Sequence, residues 1–205
     1  MHHFQVEDLE NMSKIYRLNL INSVTGYKSA HLVGTTSAKG IDNVAIFSSV
    51  IHLGSNPALL GFILRPTTVP RHTYSNMKAT GVFTLNAIAQ HQIEDAHHTA
   101  ANYPESVSEF DFTTLEKEYK SFWKAPFVKE APIQIGCRYV NEYLIKENDT
   151  LLIVGEIVHL CIADELLLED GWVQLEHGKI VTINGLDGYA LPQLLERFPY
   201  ARPKT

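Results

Sequence analysis

The chain has 205 residues, of which 45% are hydrophobic and 20% charged, and its formal net charge is −6. This size and composition are typical of a globular domain that buries its own hydrophobic core. Because the charge balance is acidic and no run of Lys or Arg occurs, we exclude nucleic acid as an expected partner.

The N-terminal residues are polar and acidic, and no apolar run approaches the roughly 20 residues that cross a bilayer. We therefore expect no signal peptide, no membrane association and a cytoplasmic location. The two cysteines, Cys137 and Cys161, lie in apolar, strand-like stretches. We expect both to be buried free thiols, as in a reducing compartment.

The first part of the chain predicts a short helix followed by strands and clear turns. The predicted elements are a helix around residues 7–16 and strands at residues 30–36, 43–53, 58–64 and 81–86. The strand at 58–64 is apolar throughout, which is typical of a strand buried on both faces. Between the last two strands, Pro70 at a first helical position and Gly81 just past the end predict a short helix.

The second part of the chain predicts two long strands with helices around them. Thr113 and Glu116 form a capping-box pattern that predicts a helix through Trp123. Hairpin-like turns are predicted at Asp170-Gly171 and His177-Gly178. The other predicted elements are helices at residues 90–101 and 190–197 and strands at 133–145 and 150–162.

The strands do not alternate regularly with helices, so the pattern favours a mainly β fold with helices over a doubly wound sheet. We expect a β-barrel with helical excursions. The whole chain, residues 1–205, is expected to form one domain, with residues 163–205 as a C-terminal extension of it.

Residues 43–49 read Asn-Val-Ala-Ile-Phe-Ser-Ser, a polar start, an apolar middle with a small residue at Ala45, and a hydroxyl pair at the end. A planar ring can lie against the backbone where the side chain is small. Ser48 and Ser49 can donate hydrogen bonds to a phosphate or a ribityl chain. The alternative interpretation is a buried strand followed by a serine-rich turn, and this stretch alone does not decide between them.

A second candidate group lies at the start of the helix that follows Pro70. Free N–H groups and the helix dipole favour a phosphate there, and Arg71, His72 and Thr73 add side-chain donors. Arg65, at the end of the preceding strand, can reach a carbonyl on a bound ring. Both arginines can equally be solvated surface charges.

The order and spacing of these groups resemble the flavin reductase-like family. The resemblance covers roughly residues 23–162 and rests on Thr35-Thr36, the 43–49 stretch, Gly61-Phe62, Arg65-Pro66, Arg71 to Asn76, Gly81 and Phe83 to Asn86. The tail from Gly185 onward resembles a flavoredoxin-like subgroup. The resemblance implies an FMN-binding split β-barrel, a homodimer with flavin near the subunit interface, and a flavin-dependent oxidoreductase.

Residue by residue, the resemblance implies a flavin site built from one part of the chain. The implied cofactor-binding residues are Asn43, Val44, Ala45 and Phe47 at the ring, with Arg65 added from its position, Ser48 and Ser49 at the ribityl chain or phosphate, and Arg71, His72, Thr73 and Asn76 at the phosphate. Reducing equivalents would pass from a nicotinamide or another donor through FMN to an acceptor. No protein acid or base is nominated, because the flavin carries the chemistry.

One position departs from the family pattern. Many members carry a histidine, associated with the nicotinamide, where this chain has Asp149. The departure weakens NADH or NADPH as the donor and leaves open an FMN-binding electron-transfer or sensor protein without an NAD(P)H site. A split-barrel binding module that has lost its flavin is a third interpretation, against which the retained Arg71, Thr73 and Ser48 argue.

Other chemistries find little support in the sequence. The ten histidines show no metal-ligand spacing, and the adjacent His97 and His98 point about 100° apart on a helix. Either of these two can line the flavin pocket or serve at the surface. No hydrolase or Rossmann motif occurs. An aromatic group can cover the flavin or pack in the core or an interface, and its members are Tyr119, Phe122, Trp123 and Phe127.

Overall fold

The computed structural model describes residues 1–120 and 123–204. The α-helices are α1 (Val6–Asn11), α2 (Lys14–Ser23), α3 (His72–Thr80) and α4 (Ile93–His98). The strands are β1 (Lys28–Ser29), β2 (His31–Thr36), β3 (Asp42–Phe47), β4 (Ile51–Ser55), β5 (Ala58–Leu64), β6 (Val82–Ala87), β7 (Lys117–Glu118), β8 (Phe127–Val128), β9 (Ile133–Ile145), β10 (Thr150–Ile162), β11 (Thr182–Asn184) and β12 (Gly188–Ala190). Short 3₁₀ turns cover Gln90–Gln92, Glu109–Phe112 and Asp164–Leu166.

The main sheet has seven antiparallel strands in the order β3-β2-β6-β9-β10-β5-β4. The hairpin of β9 and β10 forms its centre, and both strands have the bounds predicted from the sequence. Two register shifts interrupt this hairpin, one of them between Val154 and Gly155. Such bulges bend a strand and increase its twist, which helps the sheet to curl.

The sheet must curl because its two edge strands are consecutive in the chain. β3 and β4 lie at opposite edges, yet only residues 48–50 connect them. Four residue steps span at most about 14 Å, whereas a flat sheet of seven strands is about 29 Å wide. The edges therefore approach each other as in an open barrel, although no ladder joins β3 to β4 in the described residues.

Aromatic side chains fill the centre of the curled sheet. The Phe47 and Phe62 rings meet edge-on with centroids 5.0 Å apart, and Phe62 meets Phe83 at 5.7 Å. Val33 and Leu85 are fully buried in the same cluster. This core fixes the end of β3, the strand that leads into the serine pair.

The C-terminal extension packs onto the start of the sheet. β1 pairs with β11, which pairs with β12, so that Lys28 lies opposite Ile183. Val181 and Ile183 belong to the same buried cluster as Leu32 and Val44. The extension is thus fixed beside β3, and the expectation of one domain over the whole chain stays a prediction.

Helix α3 ends at the glycine predicted from the sequence but begins after the predicted proline. Gly81 ends it in the left-handed conformation, with φ at 73°, and its N–H donates to the Met77 carbonyl at 2.8 Å. The predicted helix end is confirmed. Pro70 is not the first helical residue as predicted, because Arg71 is the N-cap and the helix begins at His72.

Three predicted elements are each divided into two shorter elements in the structure. The helix predicted at 7–16 is two helices, α1 and α2, and Ser13 caps the second by accepting from the Tyr16 N–H. The strand predicted at 43–53 is β3 and β4 with a corner between them. Residues 90–101 contain a 3₁₀ turn and the short helix α4.

Two predicted helices are wrong. Thr113 does not open a helix, because its hydroxyl donates to the Glu109 carbonyl at 3.1 Å and closes a 3₁₀ turn. The residues that follow form β7, which pairs with β8, and Phe122 lies outside the described residues. No helix forms at residues 190–197, because Ala190 ends β12 and residues 191–204 have no regular structure. Pro192 disfavours helical backbone at the residue before it.

Both cysteines are free, as predicted. Cys137 is buried, and burial raises the pKa of its thiol to about 12, whereas Cys161 is half-buried. Among the described residues, no helix has the length and apolar character required to span a membrane. The cytoplasmic location stays a prediction.

Candidate functional site

A cleft of about 980 Å³ opens where β3, the start of α3, α4 and the C-terminal extension meet. This volume lies in the upper part of the range of small-molecule sites. Nine of the residues predicted to bind a cofactor line it, namely Asn43, Ala45, Phe47, Ser48, Ser49, Arg65, Arg71, His72 and Thr73. Segments that are far apart in the sequence supply the rest of the wall.

Two predicted residues do not line the cleft. The Val44 side chain is fully buried in the core cluster with Leu32. Asn76 is also buried, and its Nδ2 donates to Thr35 Oγ1 at 3.1 Å. The structure therefore gives Asn76 a link between α3 and β2, one step behind the cleft wall.

The start of α3 presents hydrogen-bond donors to the cleft. No side chain caps its first turn, so the first N–H groups of the nine-residue helix are left without a side-chain acceptor. Arg71 is half-buried and uses Nε to donate to the Pro66 carbonyl at 3.3 Å, which leaves its two terminal nitrogens available. An uncapped helix start with a guanidinium beside it suits an anion.

A hydrogen bond joins this helix start to β3. Asn43 Nδ2 donates to Thr73 Oγ1 at 3.1 Å, and both side chains are about 6% exposed. The Thr73 hydroxyl therefore accepts from Asn43 and keeps its own hydrogen for another acceptor. The contact holds the donor group of α3 in a fixed relation to the strand beside it.

The two serines after β3 differ in their surroundings. Ser49 Oγ accepts from the Ile63 N–H at 3.0 Å and lies 3.2 Å from the Ile63 carbonyl oxygen, so it bonds to β5 across the corner. Ser48 is half-buried and lines the cleft. Of the pair, Ser49 joins the end of β3 to β5, the strand next to the opposite edge, and Ser48 is the freer donor.

Glu109 is a site residue that sequence reasoning missed. It lines the cleft, is 4% exposed, and its Oε2 accepts from the Val44 N–H at 3.0 Å. Burial raises the pKa of this carboxyl, while its hydrogen bonds with backbone N–H groups and the positive charge of His72 oppose the shift. No local motif marks Glu109, because only the fold brings the 3₁₀ turn at 109–112 against β3.

The hydrogen bond from Val44 to Glu109 shows which backbone N–H groups of the edge strand β3 point away from the sheet. Because neighbouring residues of an antiparallel strand alternate in direction, Val44 and Ile46 turn their N–H groups away from β2. The N–H groups of Asn43 and Ala45 then point into the ladder. A ligand in the cleft would therefore meet the backbone at Ile46 and the side-chain faces of Asn43 and Ala45.

Helix α4 and the extension form the opposite wall. His97 lines the cleft, its Nδ1 lies 3.0 Å from the Tyr189 hydroxyl, and the two rings meet edge-on at 5.8 Å. Burial and the charge of Asp187 raise the pKa of Tyr189 to about 12. His98 pairs instead with the Tyr103 hydroxyl at 2.7 Å. The extension adds residues that sequence reasoning did not assign, which are Ile183, Leu186 and Asp187.

The aromatic group for which flavin cover or core packing was considered lies away from the cleft in the described residues. Tyr119 donates to Asp42, and burial together with that bond raises the pKa of Tyr119. Phe127 is fully buried and pairs with the His159 ring at 6.0 Å. Neither these residues nor Trp123 line the cleft, and Phe122 lies outside the described residues. In the described ranges no group of three or more His, Cys, Asp or Glu could hold a metal.

The donor set of the cleft fits a ligand with an anionic end and a flat body. The helix start with Arg71 and Thr73 suits the anion, and the small side chain of Ala45 beside Phe47 leaves a surface on which a ring can lie. Hydroxyl and backbone donors lie between these two regions, at Ser48 and Ile46. These are the features that an FMN molecule requires.

Comparisons with known proteins agree with this geometry. Residues 25–174 match the family described as flavin reductase like domain. A split-barrel protein of Shewanella frigidimarina NCIMB 400, proposed to be a flavin reductase, is 41% identical with a TM-score of 0.94, over 98% of this chain and 100% of that one. The chain thus has a mainly β fold with helices, of the split-barrel type.

Two more distant structures share the fold alone. The flavoredoxin of Desulfovibrio vulgaris (Miyazaki F) is 19% identical with a TM-score of 0.73, over 85% of this chain and 92% of that one. An FMN-binding protein of Thermus thermophilus, solved with 1-cyclohex-2-enone, is 16% identical with a TM-score of 0.69, over 85% of this chain and 91% of that one. Both match most of the length of this chain.

Proposed function

Because this chain belongs to the flavin reductase-like domain family, we propose that it binds FMN in the cleft and acts as a flavin-dependent oxidoreductase. Family membership connects the chain with flavin redox chemistry. The binding of FMN in particular and the direction of electron flow are part of the proposal. The observation that carries the proposal is the uncapped start of α3, which meets a strand with a small side chain inside one cleft.

The phosphate of FMN would lie at the start of α3. Arg71 would contribute its two terminal nitrogens, and Thr73 a hydroxyl that Asn43 already orients at 3.1 Å. His72 and Ser48, which line the same cleft, would complete the set of donors to the phosphate. An Arg fork and helix N–H groups together favour a phosphate over a neutral ligand.

The flavin ring would lie along β3. Ala45 gives room for it, Phe47 an apolar edge, and the outward N–H of Ile46 a donor to a ring carbonyl. Arg65, exposed just after the end of β5, would reach the same region from the strand next to the other edge of the sheet. Bound FMN supplies the capacity to take up and pass on a hydride, and the protein supplies its orientation and electrostatics.

A nicotinamide is the first candidate for the donor of reducing equivalents, because the family to which the chain belongs is described as flavin reductase like. Asp149, which replaces the histidine of many family members, is exposed in the turn between β9 and β10 with φ at 57°. This replacement favours, as a second candidate, an FMN-binding electron carrier or sensor without its own NAD(P)H site.

A homodimer completes the proposal. Neither α1 nor α2 contains a buried residue, although they carry exposed apolar side chains such as Ile15 at 66%. Isolated helices of 6 and 10 residues are marginal in water, and clustered exposed apolar side chains mark interfaces. In the tail, Leu195 and Phe198 are 88% and 78% exposed. These segments would pack on a second copy of the chain.

The test is an absorbance spectrum of the purified protein with added FMN, recorded before and after anaerobic addition of NADH or NADPH. Flavin bands that remain with the protein on gel filtration and then bleach would support the reductase. Bands that remain but do not bleach would favour the electron carrier. If no flavin stays with the protein, the proposal is wrong. A flavinated monomer in sedimentation would contradict the dimer.

A further inference from the structure

Glu109 differs from the other charged side chains of the cleft in its burial. Arg65 and Asp187 are exposed and Arg71 is half-buried, whereas Glu109 is only 4% exposed. Water and salt screen exposed charges strongly and buried charges much less. The field inside the cleft therefore depends on Glu109 more than on any of these three.

The carboxyl of Glu109 is held in place without a cationic partner. Its Oε2 accepts from the Val44 N–H at 3.0 Å, and no Lys or Arg forms an ion pair with it in the described part of the chain. Burial raises the pKa of this carboxyl, while its hydrogen bonds with backbone N–H groups and the nearby His72, on the facing end of α3, oppose the shift. A pH well above the usual range of a carboxyl therefore favours its ionised form.

Reduction changes the charge of a flavin. A hydride donor delivers two electrons and one proton, so at pH 8 the reduced ring carries one negative charge more than the oxidised ring, and the donor leaves with one charge more positive. A fixed negative charge in the same cleft disfavours the reduced form. The sign of this effect is the same wherever along the cleft the ring lies.

We propose that Glu109 is a redox-tuning residue, whose buried negative charge weakens the binding of reduced flavin relative to that of oxidised flavin and so lowers the potential of the bound flavin. The inference rests on the proposed binding of FMN and assigns a purpose to a buried acid that the binding itself does not need. A lower potential favours passing the electrons to an acceptor over holding them on the bound flavin.

The variant that tests the inference is Glu109→Gln. Glutamine has nearly the same shape and keeps an oxygen that can accept from the Val44 N–H, but it carries no charge. At pH 8, which favours the ionised carboxyl of the wild type, we expect reduced FMN to bind about tenfold more tightly relative to oxidised FMN. This ratio equals a rise of about 30 mV in the two-electron potential of the bound flavin.

The matched control is Asp111→Asn, which makes the same charge change two residues away in the same 3₁₀ turn, at an exposed side chain. Its potential should equal that of the wild type. The potentials are measured by anaerobic equilibration with a reference dye. If Glu109→Gln does not fold, Glu109→Ala removes the same charge and should raise the potential in the same direction.

The outcomes are separable. A rise in Glu109→Gln with none in Asp111→Asn supports the inference. Equal potentials in the wild type and Glu109→Gln overturn it while FMN binding stands, and so does an equal rise in both variants, which would reflect overall charge. A wild type that binds no FMN overturns the proposed function, and the inference with it.

Discussion

Replacement of Arg71 by alanine tests the proposed phosphate site most directly. The Nε of Arg71 is already engaged with the Pro66 carbonyl at 3.3 Å, so the two terminal nitrogens are the groups that a phosphate would lose. A hydrogen bond to a charged group contributes about 1.5–3 kcal/mol. Because Arg71 is half-buried and partly screened, we expect a loss in the lower part of this range.

A loss of about 1.5–2 kcal/mol corresponds to a Kd for FMN that is about 10- to 30-fold higher. The assay is titration of FMN fluorescence with protein, and the same titration with riboflavin, which lacks the phosphate. Riboflavin affinity should not change in Arg71→Ala. Arg202→Ala, in the exposed tail, makes the same charge change and should leave both affinities unaltered. An unchanged Kd for FMN, or an equal loss for both ligands, would refute the assignment.

Two further predictions concern the sheet. In Gly34→Ala the new Cβ would lie 2.2 Å from the Pro126 carbonyl oxygen and 2.5 Å from Thr84 Oγ1, so β2 must shift. We expect a loss of about 1–3 kcal/mol in the free energy of unfolding, measured by urea denaturation. An unchanged midpoint would show that β2 can move to accommodate the methyl group without loss of stability. Burial lowers the pKa of His31 from 6.5 to about 4, so its stabilising contribution is present above pH 6.5 and is lost as pH falls from 6.5 to 4. The free energy of unfolding should fall less between pH 7 and pH 4.5 in His31→Leu than in the wild type, and equal falls would argue against this role.

Sequence reasoning succeeded where local pattern and tertiary environment agree. β9 and β10 have their predicted bounds because both are long strands of β-prone residues separated by a polar turn. The end of α3 was predicted because Gly81 adopts the left-handed conformation that the end of a helix requires. In each of these cases a single feature of the chain fixes the element.

It failed where tertiary contacts overrule a local signal. The capping-box pattern at Thr113 is genuine, but the Thr113 hydroxyl closes the 3₁₀ turn behind it and Lys117 enters a two-stranded ladder instead. Similarly, the strand predicted at 43–53 is divided at Ser48-Ser49, where the sequence offered a serine-rich turn only as an alternative interpretation. The corner is held by the bonds of Ser49 to Ile63 on β5, next to the opposite edge, a contact that only the curled sheet provides.

The candidate site divides along the same line. The residues that come from one continuous motif, such as Asn43, Ser48 and Arg71, were identified and lie together in the cleft. Glu109 and Asp187 were missed because they arrive from distant segments and carry no motif of their own. A spacing pattern can identify the cleft residues that come from one continuous motif. The residues of the facing wall come from distant segments, so their position depends on the topology of the fold.

The ladder between β1 and β11 has a consequence for the order in which the protein matures during synthesis. Lys28 leaves a ribosome well before Ile183, yet the two must pair before Ile183 and Leu186 can close the cleft. Translation proceeds at about 5–20 residues per second, and β11 begins at Thr182 whereas β10 ends at Ile162, so β2 to β10 have about 1–4 seconds to assemble before the partner of β1 emerges. The nascent chain would therefore carry a formed sheet with one wall of its cleft missing. Stable uptake of a cofactor would therefore follow the emergence of β11 and its pairing with β1.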